Sequence, residues 1–244
     1  MLTFFTRRRV LTAVILLLTL LLLTLLTLYT FRRQLAGPRI PRIGPWFANP
    51  VAHADWQVEI GSRCGNAPMI FPTTGFIGVG WGDGLWPFYQ HTGYDIFSPA
   101  GADNVTPNIA AYDGYLTRET DWLSTVIIRH PDFPPFDGSP LAPGEQIWSY
   151  YTHMASPNGS LSYVDPAFPP GTREKFVTAG TLLGYQGTWS GRPNDPVGLH
   201  LHFSIATSKP DGSYTNETQI GNTYDPALFL GLTANEEGII GCWR

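Results

Sequence analysis

The sequence predicts a mainly β protein, in which a compact antiparallel β-sheet or sandwich follows an N-terminal transmembrane helix. Two observations predict this. One uncharged apolar run lies near the N-terminus, and later short apolar or β-branched runs are separated by Gly, Pro and Asp. The composition agrees, because 26 glycines, 22 prolines and 14% aromatic residues favour a loop-rich β domain over disorder.

The first element is an apolar segment from Val10 to Thr30, with three arginines before it and two after it. A helical run of about 20 apolar residues matches the hydrocarbon thickness of a bilayer. A signal peptide has a shorter apolar core, roughly 7–15 residues, with a cleavage site close behind it. The nearest such site, Ala52-His53-Ala54, lies far beyond the run, so we assign residues 1–33 as an uncleaved membrane anchor, with cleavage as the alternative.

A proline-rich segment, residues 34–62, comes next and contains Pro38, Pro41, Pro45 and Pro50. Proline cannot continue a helix and restricts the residue before it, so the segment is expected to be an extended linker. Fully extended, such a linker would reach at most about 100 Å, which would confine the following domain to the neighbourhood of the membrane.

The folded domain is expected to occupy residues 63–244. A turn of helix is expected at Pro226 to Leu232, and the remaining elements are short strands bounded by turn residues. The strand candidates are Ile109–Tyr112, Ser124–Ile128, Trp148–Tyr151 and Leu199–Ile205.

Three short segments hold the histidines of chemical interest. His91 precedes Asp95 by four residues, His153 ends an apolar run, and His200 and His202 alternate with apolar residues. Residues two apart in a strand point to the same face, so the last two imidazoles are expected side by side in one cleft.

A His/Asp/His set suits a hydrolytic zinc site, where three protein ligands leave one position for water. Zinc lowers the pKa of its bound water to about 7, and a nearby imidazole can take the proton or stabilise the oxyanion. The net charge of −4 gives no electrostatic reason to expect a nucleic-acid partner.

In combination and order these segments resemble the lysostaphin-type zinc endopeptidases, also called M23 or LytM-like peptidases. The family pattern HxGxD, Y-x-H-L and G-x-HLHF is matched by HTGYD, YTHM and GLHLHF at residues 91–95, 151–154 and 198–203. The intervening stretches at residues 99–114 and 177–184 are also similar, so the resemblance covers roughly residues 68–206.

The resemblance implies that His91, Asp95 and His202 bind zinc, and that His153 and His200 form a catalytic pair acting on the zinc-activated water and the oxyanion. It also implies a groove for an extended peptide and, as substrate, the peptide stems or cross-links of peptidoglycan. The domain would then be extracytoplasmic, held at the cell membrane by a single-pass anchor.

The chain departs from the family pattern in four places. Two insertions, residues 131–146 and 192–197, lie beside motif strands and are expected to wall the groove and to alter substrate choice. Met154 replaces the usual Leu, which conserves volume. Ser204 stands where an acidic residue is common, which puts one contact around the ligands in doubt.

Two alternatives to an active enzyme stay open. The first, from a different class of function, is a catalytically silent module that binds the wall or activates another hydrolase. The second is an autoinhibited metal-binding domain whose insertions occlude the groove until a regulatory protein partner moves them. Silent relatives lose ligands, whereas all five expected positions are present here, which favours activity.

Cys64 and Cys242 bracket the domain. Outside the cytoplasm they can form one disulfide, which would add about 4–5 kcal/mol under the chain-entropy model. The alternative is a pair of free thiols. His130 is assigned no function.

Overall fold

A computed structural model describes residues 2–84 and 89–243 of the chain, and the side chains of residues 9–29, 37–84 and 89–243. The helices of these residues are α1 (Leu2–Ala36), α2 (Ile40–Ala48) and α3 (Pro226–Leu230), with short 3-10 helices at Pro50–Trp56 and Ile220–Asn222. The strands are β1 (Gln57–Val58), β2 (Gly75–Val79), β3 (Tyr94–Phe97), β4 (Pro107–Ile109), β5 (Gly114–Thr117), β6 (Val126–His130), β7 (Ile147–Thr152), β8 (Lys175–Val177), β9 (Leu182–Tyr185), β10 (His200–Ala206), β11 (Thr223–Tyr224), β12 (Thr233–Ala234) and β13 (Ile240–Gly241).

The fold is mainly antiparallel β with an apolar N-terminal helix, which confirms the predicted fold class. Eight strands of the main sheet run in the order β1-β2-β3-β10-β7-β6-β5-β8, and β11 pairs with β10 as the ninth. Two small antiparallel pairs, β4-β9 and β12-β13, lie outside this sheet. The strand order brings β3, β10 and β7 together from three distant parts of the sequence.

The N-terminal helix α1 contains the apolar segment found in the sequence. Its stretch from Arg9 to Tyr29 has a mean hydropathy of 2.8, and none of it is buried against the rest of the chain. By length and composition the helix can be a membrane span or a signal sequence.

The prediction of an extended linker is wrong for residues 40–56, which form α2 and a 3-10 helix. Pro41 lies at the start of α2, where no helical hydrogen bond is lost, although Pro45 lies inside the helix. The helix forms because it packs on the sheet: the Trp46 side chain is fully buried, and its Nε1 donates to the backbone oxygens of Phe97 and Ser98. Burial of this indole outweighs the cost of the internal proline.

Strand β10 lies inside the main sheet and shows why the alternating pattern was informative. Leu201, Phe203 and Ile205 are completely buried in the core with Tyr151 and Ile96, while the alternate residues point to the opposite face. The strands predicted around residues 124–128, 148–151 and 199–205 are present with ends shifted by one or two residues. The expected strand at 109–112 is displaced, because β4 ends at Ile109.

The C-terminal part is tied to the start of the domain. Cys64 and Cys242 form the predicted disulfide, which closes a separation of 178 residues. The expected turn of helix is α3, which begins at an Asp225 side chain that accepts from Ala227 N and ends at Gly231 in a left-handed conformation.

Candidate active site and metal centre

The functional residues predicted from the sequence meet in one cleft of about 700 Å³ on the face of β3, β10 and β7 opposite the core. The pairing of β10 with β3 on one side and β7 on the other places His202 directly between Asp95 in β3 and Thr152 in β7. His91 lies just before β3 and His153 just after β7, and both histidines flank the central part of β10 and line the cleft. All five predicted residues line the cleft.

His91, Asp95 and His202 form a compact triangle of possible metal ligands. His91 Nε2 lies 3.0 Å from Asp95 Oδ1 and 3.1 Å from His202 Nδ1. The third side, between His202 Nδ1 and Asp95 Oδ1, measures 2.9 Å. The possible ligand atoms of the three residues all lie within 4.8 Å of one another.

This triangle fits zinc in both size and chemistry. Ligand atoms at two corners of a zinc tetrahedron, with bonds of about 2.0–2.1 Å, lie about 3.3 Å apart, close to the three measured sides. Imidazole and carboxylate are ordinary zinc ligands, and three of them leave a position open. The buried ring nitrogen His200 Nε2 lies next to the triangle, 3.3 Å from Asp95 Oδ1, and has no hydrogen-bond partner. A polar atom left unpaired at this point is consistent with a site that holds a further group.

The outer contacts of the two candidate histidine ligands select the ring nitrogen that faces the triangle. His91 Nδ1 lies 3.1 Å from the Gly80 carbonyl oxygen, which can only accept, so Nδ1 carries the hydrogen and Nε2 carries the lone pair. His202 presents Nδ1 to the triangle, and its Nε2 lies 3.6 Å from Glu217 Oε2. A carbonyl or carboxylate behind a metal-binding imidazole fixes its tautomer and increases its basicity.

His153 and His200 are held in the same way. His153 Nδ1 donates to the Trp189 carbonyl at 2.6 Å, and His200 Nδ1 donates to the Gly198 carbonyl at 2.6 Å. In each ring Nε2 is therefore the nitrogen with a free lone pair. The rings lie side by side, with centroids 4.6 Å apart.

The backbone of His153 adopts a positive φ of 71°, which is uncommon for a residue other than glycine. Such a conformation persists only where the surrounding structure enforces it, and it is common at functional sites.

Burial and charge separate the pKa values of the site in this metal-free form. Burial, together with the neighbouring His200 and His202, lowers the pKa of His153 to about 3. Burial also acts to lower the pKa of His202, but its contacts with Asp95 and Glu217 outweigh burial and raise that pKa to about 10. Burial acts to raise the pKa of Asp95, but the histidines around it hold that pKa well below its usual value.

Glu217 is a residue of the site that the sequence did not reveal. It lies in the loop between β10 and the second 3-10 helix, where the Asn216 side chain accepts from Thr218 N and shapes the turn. Ser204 lies on the same face of β10 as the two histidines, and its Oγ has no hydrogen-bond partner. The carboxylate that contacts His202 Nε2 is thus supplied by Glu217 from a distant loop, and no motif or spacing in the sequence could have identified it.

The two insertions behave differently from each other. Val197, the last residue of the second insertion, lines the cleft, as do Ser190 and Gly191 just before that insertion. Of the described residues that line the cleft, none belongs to 131–146, so the prediction for the first insertion is wrong. The physical reason is its apolar content: Phe133 is buried, and Phe136 packs on Phe229 in the core with ring centroids 5.3 Å apart.

Two further histidines lie outside the cleft. His130, to which no function was assigned, is buried with its ring nitrogens 2.7 Å from the Asp113 carbonyl oxygen and 2.8 Å from Ser149 Oγ. His53 stacks on Trp56, with ring centroids 3.9 Å apart.

Comparison with known proteins gives structural neighbours only. No known family matches the sequence, and no curated protein matches it. Similar solved structures include Csd3 from Helicobacter pylori, with 19% identity over 61% of this chain and 33% of that chain, and a TM-score of 0.35. The catalytic domain of the antimicrobial peptidase lysostaphin from Staphylococcus simulans has 20% identity over 68% and 93%, with a TM-score of 0.34.

A catalytic-domain variant of the prophage-encoded M23 protein EnpA from Enterococcus faecalis has 20% identity over 66% of this chain and 98% of that chain, with a TM-score of 0.33. This chain spans a third of the Helicobacter protein and nearly all of the other two domains. The three sequence motifs resemble the lysostaphin-type or M23 peptidases, and these two neighbours are named as lysostaphin and as an M23 protein. At these identities and TM-scores the similarities establish nothing about activity, which has to be inferred from the cleft.

Proposed function

We propose that the chain is a zinc-dependent endopeptidase that hydrolyses peptide cross-links or stems of peptidoglycan. The observation that carries the proposal is the triangle of His91 Nε2, Asp95 Oδ1 and His202 Nδ1, with sides of 2.9–3.1 Å, in the cleft that also holds the His153 and His200 rings. A metal-ligand set and two further imidazoles in one open cleft are the components that hydrolysis of an amide bond requires.

In this proposal His91, Asp95 and His202 hold the metal. A zinc ion in such a site supplies Lewis acidity, which activates water at neutral pH and polarises a peptide carbonyl. His153 is neutral at pH 7 because its pKa is about 3, so its Nε2 can accept a proton during attack. His200 lines the same cleft, and once its Nε2 also carries a hydrogen, as in an imidazolium, that N–H can donate to the oxygen of the scissile carbonyl as charge develops on it.

The peptide substrate is supported by the walls of the cleft. Trp122, Tyr150 and Trp189 line it, and such rings offer apolar contact together with polar groups for an extended backbone. The resemblance to wall peptidases narrows the peptide to peptidoglycan. An extracytoplasmic location is supported by the Cys64–Cys242 disulfide, because disulfides persist in oxidising compartments, and by helix α1, which would anchor the domain beside the wall.

The proposal also includes the division of the chain into an anchor at 1–33, a connecting segment at 34–62 and a peptidase domain at 63–244. The connecting segment is a folded attachment to the sheet from α2 onward, so the site is expected to work closer to the membrane than an extended linker would allow.

Release of soluble peptides from purified peptidoglycan by the full chain in detergent micelles tests the proposal. His153→Ala should reduce release by a factor of about 10²–10⁴, the usual contribution of a general acid or base. His53→Ala makes the same chemical change outside the cleft and should retain activity. Equal release by His153→Ala and the wild type would contradict the proposed mechanism. Bound zinc without cleavage of any peptidoglycan would favour a silent or autoinhibited module.

A further inference from the structure

Helix α2, which follows the N-terminal helix, packs closely on the strands that carry the site. Trp46 Nε1 lies 3.1 Å from the carbonyl oxygens of both Phe97 and Ser98, at the end of the strand that holds Asp95. Ile43 lies over Gly78 in β2, where an added Cβ would come within 2.8 Å of the Ile43 side chain. The absence of a side chain at Gly78 allows the helix to approach the sheet.

Arg39, immediately before α2, forms an ion pair with Asp83. Its Nη2 lies 2.6 Å from Asp83 Oδ2, and the two side chains are only 8% and 12% exposed. Arg39 Nη1 also donates to the Gly238 carbonyl at 3.3 Å. The guanidinium lies directly against Gly80, where an added Cβ would collide with Nη2. A buried pair of this kind is costly to break, since either charge alone would stay unpaired.

Asp83 in turn holds the loop that orients His91. Its Oδ2 accepts from Gly80 N at 2.7 Å, and its backbone oxygen accepts from His91 N at 2.7 Å. Gly82 N donates to the His91 carbonyl at 2.8 Å, and the Gly80 carbonyl accepts from His91 Nδ1. Residues 80–83 therefore fix both the backbone and the ring of His91, and Asp83 is the side chain that shapes them.

We propose that Arg39 is a positioning residue for His91: by pairing with Asp83 it fixes the loop that orients the imidazole, and it thereby couples α2 to the metal centre. This inference rests on the proposed function only in taking His91 as a zinc ligand. The connection from Arg39 to the His91 ring runs through three contacts of 2.6, 2.7 and 3.1 Å. Arg39 and helix α2, which follow the N-terminal helix, thus help to hold His91 in place.

Two readouts on the full chain in detergent micelles test this. The first is zinc affinity, measured by competition with a chelator. Arg39→Gln should weaken zinc binding about tenfold, the lower end of the effect of removing an outer-shell partner, and Arg39→Lys should recover part of it. Gly80→Ala displaces the guanidinium without removing its charge and should weaken binding in the same direction.

Arg42→Gln is the matched control. It removes the same charge three residues further along, from a side chain that lies over the Trp56 ring, and it should leave zinc affinity unchanged. The second readout is the Nδ1–H signal of His91 in metal-free protein, observed by NMR with labelled histidine and assigned by its absence in His91→Ala. It should be present in the wild type and Arg42→Gln, and broadened or shifted in Arg39→Gln.

The outcomes separate the two proposals. An unchanged His91 signal and unchanged zinc affinity in Arg39→Gln, even with a lower melting temperature, would overturn the positioning role and leave a purely structural ion pair. A wild type that binds no zinc would overturn the proposed function. In that case the NMR signal still decides whether Arg39 positions His91.

Discussion

Replacing Trp46 with alanine should lower the free energy of unfolding of the domain by about 4 kcal/mol. The indole is fully buried between α2 and the sheet, and truncating such a ring to alanine costs about 3–5 kcal/mol. Its Nε1 is also the donor to the Phe97 and Ser98 carbonyls, so the variant leaves these oxygens without that partner. Trp46→Phe keeps most of the ring and should cost only about 1–2 kcal/mol, chiefly the lost hydrogen bonding.

The assay is urea unfolding of the full chain in detergent micelles, followed by far-ultraviolet circular dichroism. Phe47→Ala is the control, because this neighbouring side chain is 41% exposed and makes an edge-on contact with Phe97. It should cost less than about 1 kcal/mol. A Trp46→Ala variant within about 0.5 kcal/mol of the wild type would refute the reasoning, since α2 would then be only a tether, as the prolines of the sequence suggested.

Three other consequences can be measured separately. Replacing Cys64 and Cys242 together with alanine should lower the free energy of unfolding by about 5 kcal/mol under the chain-entropy model. Equal denaturant midpoints for the oxidised wild type and the double alanine variant would contradict this. Burial lowers the pKa of His130 to about 4, so its contribution to stability is complete above pH 6.5 and is lost as the pH falls towards 4, by about 3 kcal/mol in all. His130→Gln should remove that part of the pH dependence, and identical slopes in both proteins would count against it. Glu217→Gln should weaken zinc binding about 10–100-fold, and equal zinc affinities would exclude a role behind His202.

The parts of the fold that the sequence predicted are those governed by local pattern. Alternation in residues 199–205 predicts both the strand and the shared face of His200 and His202, because a strand has a period of two. The order β3-β10-β7, which brings Asp95 beside His202, depends on long-range pairing that periodicity does not encode. The expectation that Asp95 and His202 lie in one site came from the motif resemblance and not from the local sequence pattern.

The parts that could not be predicted depend on tertiary contacts that override local preference. The prolines of α2 argue against a helix, yet burial of Trp46 stabilises it. Residues 131–146 appeared to be a groove wall, but Phe133 and Phe136 pack into the core. Glu217 carries no local signal in the sequence, since its contact with His202 exists only because a distant loop folds back over that histidine.

The most direct test of a metal centre is the zinc content of the purified full chain, determined by elemental analysis beside His202→Ala and His53→Ala. The geometry of His91, Asp95 and His202 predicts one zinc per chain in the wild type and in His53→Ala, and little or none in His202→Ala. A wild type without zinc after reconstitution, or a His202→Ala variant that keeps its zinc, would contradict the assignment of these residues as the metal site.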